Sequence, residues 1–98
     1  MNLAYIIEQA KNCEGPIVKF YHQGESFRVL VMGFKSGMIF KGQQTNASSK
    51  LVVLEGCVIY KKKDAAVVMN QFDDINIAAH VPHTLEAVED SICFLIQS

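Results

Sequence analysis

The chain lacks most of the features that mark membrane, secreted or nucleic-acid-binding proteins. Its 98 residues carry nine basic and ten acidic side chains, and this balance gives no long-range attraction to nucleic acid or to an anionic membrane. No apolar run is long enough to span a bilayer, and the N-terminus lacks the basic start and long apolar stretch of a secretion signal. We therefore expect neither a membrane nor a nucleic acid as partner.

Catalytic signatures are also missing. The sequence contains no G-x-S-x-G element, no P-loop and no dinucleotide-binding glycine pattern. The three cysteines, Cys13, Cys57 and Cys93, form no CxxC pair and no Cys/His cluster, and the last two lie inside apolar runs. This pattern favours buried free thiols in a reducing cytoplasm over a disulfide or a metal site.

The chain does have enough apolar residues for one folded domain, because half of its residues are hydrophobic. We predict a single domain over residues 1–98, with an N-terminal helix within residues 1–14. Apolar residues recur there at the spacing of one helical face: Leu3, Ile6, Ile7 and Ala10. Asn2 is placed to cap this helix and Gly15-Pro16 to stop it.

Beyond Pro16, short apolar β-branched runs alternate with polar turns over about residues 17–97. The predicted strands are Ile17–Tyr21, Phe27–Phe34, Met38–Lys41, Leu51–Leu54, Cys57–Tyr60, Ala65–Met69, Ile75–Ala79, Thr84–Ala87 and Ser91–Ile96. Gly56 divides the run Leu51–Tyr60 at a tight bend or bulge, while residues 43–50 are polar and small and by composition alone form a loop. Strands at this spacing indicate an all-β sandwich or closed barrel.

Two stretches resemble the cupin motifs. The interval from Gly37 to Gly56, closed by LVVLEG, resembles the first motif, G-x5-H-x-H-x3-E-x6-G. Residues 74–87, DINIAAHVPHTLEA, resemble the second motif, and His83 stands on its histidine. The resemblance covers about residues 25–96 and implies a cupin-like double-stranded β-helix, or jelly-roll, barrel with one short N-terminal α-helix.

The departures from these motifs bear on metal binding. Of the four family ligand positions only His83 keeps its residue type, while Gln43 and Thr45 replace the two histidines and Ser49 replaces the glutamate. A transition-metal ion generally needs about three imidazole, carboxylate or thiolate ligands. We therefore predict no metal and no other cofactor. Four further family residues, glycine, proline, glycine and asparagine, are replaced by Phe72, Ala78, His80 and Ala87.

The family topology directs the former ligand positions into the barrel. Gln43, Thr45 and Ser49 share one face if the chain is extended there, and with His83 they would line a cavity. Met32, Met38 and Phe40 are candidates for its apolar wall. His80 lies three residues before His83, so only a break at Val81-Pro82 could bring the two rings together.

The preferred hypothesis is a metal-free barrel that binds or senses a small molecule of unknown identity through Gln43, Thr45, Ser49 and His83. One alternative is an enzyme, either a metal-free isomerase- or lyase-like catalyst using His83 or a metal enzyme with a site rebuilt around His83 and His80. A second alternative is a structural subunit. The resemblance also suggests a homodimer, with Phe27–Phe34 as its candidate surface. Lys61–Lys63 beside Asp64 is interpreted as a solvated hairpin tip rather than a phosphate or nucleic-acid patch.

Overall fold

A computed structural model describes residues 3–12, 14–42 and 48–97. These residues form one helix, α1 (Leu3–Lys11), followed by nine strands. The strands are β1 (Ile17–Gln23), β2 (Arg28–Phe34), β3 (Ile39–Gly42), β4 (Ser49–Glu55), β5 (Val58–Lys62), β6 (Ala65–Met69), β7 (Asp74–Ile77), β8 (His83–Ala87) and β9 (Ser91–Gln97). Each overlaps a predicted strand, with ends that differ by at most two residues. Strand β4 begins two residues before Leu51, within the segment that composition alone assigns to a loop.

Helix α1 is shorter than predicted at its C-terminal end. It ends at Lys11 because Asn12 closes the last turn: its side-chain Nδ2 donates to the Glu8 carbonyl (3.0 Å) and its backbone N–H donates to the Gln9 carbonyl (3.2 Å). The helix therefore ends before Gly15-Pro16, where its end was predicted. Asn2, the predicted cap, lies outside the described residues. The described part of the chain holds no helix with the length and apolar character needed to cross a bilayer.

The strands form two antiparallel sheets. The five-stranded sheet has the order β1-β2-β9-β4-β7, and the four-stranded sheet has the order β3-β8-β5-β6. Strands β2 and β4 belong to the five-stranded sheet, and β3 and β5 belong to the four-stranded sheet. The chain therefore crosses repeatedly from one layer to the other, as in the predicted jelly roll. The main core lies between the layers and includes Met32, Leu51, Val53, Val58 and Leu85, each 1% exposed or less.

Helix α1 covers the outer face of the five-stranded sheet. Ile6 and Ala10 pack there against Val31 and Ile92 in a second apolar cluster. Gly33 permits this close approach, because a Cβ at that position would overlap the Cβ of Ala10. The apolar stripe of the helix thus packs within the chain.

The bend at Gly56 carries the chain from one sheet to the other. Gly56 has φ +92°, a left-handed conformation that side chains resist, and it packs directly against Ser91. Ser91 Oγ accepts a hydrogen bond from the Cys57 N–H (3.0 Å) and lies 2.8 Å from the Glu89 carbonyl oxygen. The predicted division of Leu51–Tyr60 is confirmed, with β4 and β5 in different sheets.

Two other turns hold non-glycine residues in the left-handed region. Phe72 has φ 71° and His80 has φ 66°. Phe72 and His80 stand at two positions where the cupin motif has glycine. The backbone has the left-handed conformation that glycine favours, although neither residue is a glycine. Each such residue costs roughly 1–2 kcal/mol of strain.

The two described cysteines fit the expected burial. Cys57 and Cys93 are free and buried. Burial raises the pKa of the Cys93 thiol to about 12, so this group is a neutral thiol over the physiological range. Cys13 lies outside the described residues.

The suggested dimer surface at Phe27–Phe34 does not fit the fold. Strand β2 is hydrogen-bonded to β1 on one edge and to β9 on the other. Residues 31–34 are buried, between the barrel core on one face and helix α1 on the other. Apart from Phe27, which is 46% exposed, and Arg28, which is also exposed, this segment therefore offers little surface to a partner.

Candidate ligand-binding site

A cavity of about 250 Å³ opens between the two sheets at one end of the barrel. This volume equals that of about eight water molecules at about 30 Å³ each. The residues that line it are Val18, Arg28, Leu30, Met32, Phe40, Ser49, Ile77, Ala78, Val81, His83, Leu95 and Gln97. Most of the wall is apolar, and the few polar groups are concentrated on a small part of it.

The five-stranded sheet supplies an apolar row and a polar row to this cavity. In the apolar row, Leu30 of β2 pairs with Leu95 of β9. Two residues further toward the strand ends, Arg28 pairs with Gln97, and Gln97 pairs with Ser49 of β4. Because side chains alternate across a strand, both rows point to the same face of the sheet. The polar row therefore lies beside the leucines.

Arg28 and Gln97 are joined by a hydrogen bond across the sheet. The Arg28 Nε donates to Gln97 Oε1 at 2.7 Å. This contact uses only one of the N–H donors of the guanidinium. Among the described residues that line the cavity, Arg28 is the only one with a permanent charge. The electrostatics of the cavity thus favour a ligand with an acceptor or an anionic group.

His83 supplies the polar group from the four-stranded sheet. It begins β8 opposite Gly42 of β3, and its ring lies against Tyr60, with 5.6 Å between ring centroids. His83 Nδ1 lies 3.3 Å from the Val81 carbonyl oxygen. In the tautomer with the proton on Nδ1, this contact orients the ring and leaves Nε2 as an acceptor for a ligand.

The structure brings together two of the four predicted site residues. Ser49 is 9% exposed and lines the cavity together with His83. Gln43 and Thr45 lie outside the described residues, so their place in the cavity stays a prediction. Of the three candidate wall residues, Met32 and Phe40 line the cavity and Met38 packs against the core instead.

Arg28 and Gln97 are the site residues that the sequence analysis missed. Side-chain alternation puts Arg28 and Leu30 on the same face of β2 as Met32, so a signal for Arg28 was available, but the sequence analysis did not apply alternation to this strand. Gln97 was missed because the last predicted strand stopped at Ile96, one residue before the observed end of β9.

The donors described at the metal-ligand positions of the cupin motif, Ser49 and His83, do not fit a transition-metal ion. Ser49 offers a neutral hydroxyl and His83 a single imidazole, which is fewer than the three strong ligands such ions require. Within residues 3–12, 14–42 and 48–97, no group of three or more His, Cys, Asp and Glu side chains is placed to hold a metal. His80 is on an exposed turn and does not line the cavity.

The chain is similar to known proteins in structure. No protein-family model matches the sequence, and no curated protein matches it significantly. An RmlC-like cupin protein from Desulfovibrio desulfuricans has a TM-score of 0.80 at 22% identity, covering 87% of this chain and 83% of its own. A cupin superfamily protein from Desulfitobacterium hafniense has a TM-score of 0.84 at 15% identity, covering 99% of this chain and 87% of its own.

A third solved structure is the Cupin_2 domain of an XRE family transcriptional regulator from Enterobacter cloacae. It has a TM-score of 0.75 at 12% identity, and the match covers 86% of this chain and 96% of that domain. All three similarities extend over most of both chains. Together with the two motifs and the two antiparallel sheets, they establish that this chain has the cupin fold.

Proposed function

We propose that this protein binds a small molecule in the barrel cavity and does so without the usual cupin metal. The observation that carries the proposal is the cavity of about 250 Å³, in which Arg28, Gln97, Ser49 and His83 place polar groups beside an apolar wall. Ligand sites commonly combine an apolar wall with a few convergent polar groups in this way. The volume is at the small end for such sites, so the ligand is small.

A sensing role is consistent with one of the structural relatives. The Enterobacter cloacae domain with this fold belongs to a transcriptional regulator. Among the described residues that line the cavity, His83 is the one candidate for a general acid or base, and Cys93 is a neutral buried thiol that does not line the cavity. We therefore favour binding over catalysis.

Ligand screening by thermal shift tests the proposal. A ligand at about 100 times its Kd stabilises the folded state by about 2.7 kcal/mol, which is readily detected in a domain of this size. The screen covers small acids, sugars and nucleotides. Ala78→Leu is the blocking variant, because Ala78 is exposed yet lines the cavity, and Ala66→Leu is its control at an exposed position on β6.

A true cavity ligand raises the Tm of the wild type and of Ala66→Leu and loses that effect in Ala78→Leu. Hits that stabilise all three proteins equally would place binding outside the cavity and contradict the proposal. A screen without any hit would favour the structural-subunit alternative.

Metal independence has its own test. Elemental analysis of protein purified without added metal is expected to find far less than one transition-metal ion per chain. A stoichiometric ion that disappears in His83→Ala would show instead that a metal site has been rebuilt around His83.

We also propose that the protein acts in the cytoplasm as a homodimer. The free thiols of Cys57 and Cys93 suit a reducing compartment. The second copy is proposed to pair at β1, an edge strand whose unpaired backbone adjoins the exposed side chains of Val18, Phe20 and Tyr21. Light scattering after chromatography is expected to give a dimer for the wild type and a monomer for Phe20→Lys, while a monomeric wild type would contradict the proposal.

A further inference from the structure

A second depression, lined by four lysines, lies next to the cavity. Its volume is about 360 Å³, and its lining consists of Lys41, Lys61, Lys62, Lys63, Pro82, His83 and Thr84. These four lysines are four of the nine basic residues of a chain whose net charge is −1. The depression is therefore a local concentration of positive charge that the overall charge does not reveal.

The sheet brings these lysines together from separate parts of the sequence. Thr84 in β8 pairs with Lys41 of β3 on one side and with Lys61 of β5 on the other. Lys62 ends β5, and Lys63 follows in the turn to β6. Lys41 therefore joins the three consecutive lysines only because β8 lies between β3 and β5.

The positive charge of the depression is only partly compensated within the chain. Lys61 Nζ pairs with Glu86 at 3.1 Å, and Asp64 follows Lys63 in the hairpin turn. In the part of the chain that the structure describes, Lys41, Lys62 and Lys63 form no ion pair within 4.0 Å. Neighbouring like charges on a sheet are unfavourable. An anion bound among them would offset that repulsion.

The depression and the barrel cavity adjoin at His83, which lines both. We propose that the lysine depression holds the anionic group of the cavity ligand, which makes that ligand a small organic dianion such as a phosphate ester. This inference rests on the proposed function. The apolar part of the molecule would contact the leucine wall, and its phosphate would pass His83 to reach Lys62 and Lys63.

Binding measurements with three probes test this inference. The probes are phenyl phosphate, benzyl alcohol as its neutral counterpart and inorganic phosphate, each titrated by calorimetry at low and high salt. The double variant Lys62→Gln/Lys63→Gln removes two charges of the depression. Lys35→Gln/Lys50→Gln is the matched control, because both of these lysines are exposed and lie outside the depression.

We expect phenyl phosphate to bind more tightly than benzyl alcohol and its affinity to fall with salt. Lys62→Gln/Lys63→Gln should weaken phenyl phosphate by about tenfold and leave benzyl alcohol unchanged, while Lys35→Gln/Lys50→Gln should change neither by more than about twofold. Unchanged unfolding curves establish that the variants are folded.

The outcomes separate this inference from the proposed function. If both aromatic probes bind equally well and the Lys62/Lys63 variant changes neither, the anion site is wrong while the cavity function stands. If phenyl phosphate binds no better than inorganic phosphate and Ala78→Leu has no effect, the lysines bind anions but the cavity function is wrong. Displacement of phenyl phosphate by a single-stranded oligonucleotide at equal phosphate concentration would overturn the small-molecule assignment.

Discussion

Replacing Gly56 by alanine should be the most damaging glycine substitution among the turns described here. Two separate costs combine at this position. The first is backbone strain, since φ is +92° and a left-handed conformation costs a non-glycine residue roughly 1–2 kcal/mol. The second is steric, because the added Cβ would lie 2.8 Å from the Ser91 Cα and still closer to Ser91 Oγ and the Asp90 carbonyl oxygen.

The steric cost extends to the hydrogen bonds of Ser91. Its hydroxyl binds the Cys57 N–H at 3.0 Å and approaches the Glu89 carbonyl at 2.8 Å, and both contacts must move to admit a methyl group. At about 1 kcal/mol for each hydrogen bond, the steric part adds roughly 2 kcal/mol. The total of roughly 3–4 kcal/mol is a large share of the about 5–15 kcal/mol that stabilises a typical domain.

Gly37→Ala is the matched control for this substitution. Gly37 has nearly the same dihedral angle, φ +88°, but a Cβ there meets no atom within 4 Å. It should lose only the strain of roughly 1–2 kcal/mol. Urea unfolding of the wild type and both variants measures the two costs. Equal losses in the two variants would refute the argument that packing against Ser91 fixes the bend.

Three further predictions follow from the structure. Phe72→Gly and His80→Gly should each leave the free energy of unfolding in urea unchanged or raise it by up to about 1 kcal/mol, because relief of strain offsets or outweighs the entropy of glycine, and a clear loss of stability would contradict this. Arg28→Met should lower the affinity of an anionic cavity ligand severalfold in a calorimetric titration. The free energy of unfolding should change by less than about 1.5 kcal/mol, since the hydrogen bond between Arg28 and Gln97 is only partly buried. Cys93 makes stability fall above pH 9, because the unfolded thiol ionises near its ordinary pKa of 9.0 while the folded thiol stays protonated up to about 12. The loss is about 1.4 kcal/mol per pH unit in that window, and a pH series of unfolding curves should show a shallower slope in Cys93→Ala.

Local pattern was sufficient to predict the elements of this fold. The strands are short, strongly apolar and separated by turn residues, so their positions follow from the sequence alone. The bend at Gly56 was predicted from its place in the apolar run Leu51–Tyr60, and Gly56 has a positive φ. The ends of the helix and of the strands were harder to predict, because side-chain hydrogen bonds such as that of Asn12 and sheet pairings such as that of Ser49 depend on the folded structure.

The candidate site was less predictable, because it depends on which strands become neighbours. Ser49 and His83 came from motif positions, whereas the contact between Arg28 and Gln97 depends on the pairing of β2 with β9, which local pattern does not specify. Lys41 joins Lys61–Lys63 for the same reason, since β8 separates their strands in the sheet. The predicted exposed hairpin tip at Lys61–Lys63 is present between β5 and β6, but the nearness of Lys41 could not be predicted from the sequence.

The most direct test of the binding cavity is an NMR titration of isotope-labelled protein with benzyl alcohol. We predict that the largest chemical-shift changes occur at cavity residues, with Leu30, Leu95 and Ala78 foremost, and that the exposed Val67 and Val68 of β6 respond little. Saturable shifts confined to the cavity would support the account. Shifts spread over exposed apolar side chains, or an absence of saturable shifts at Leu30 and Leu95, would contradict it.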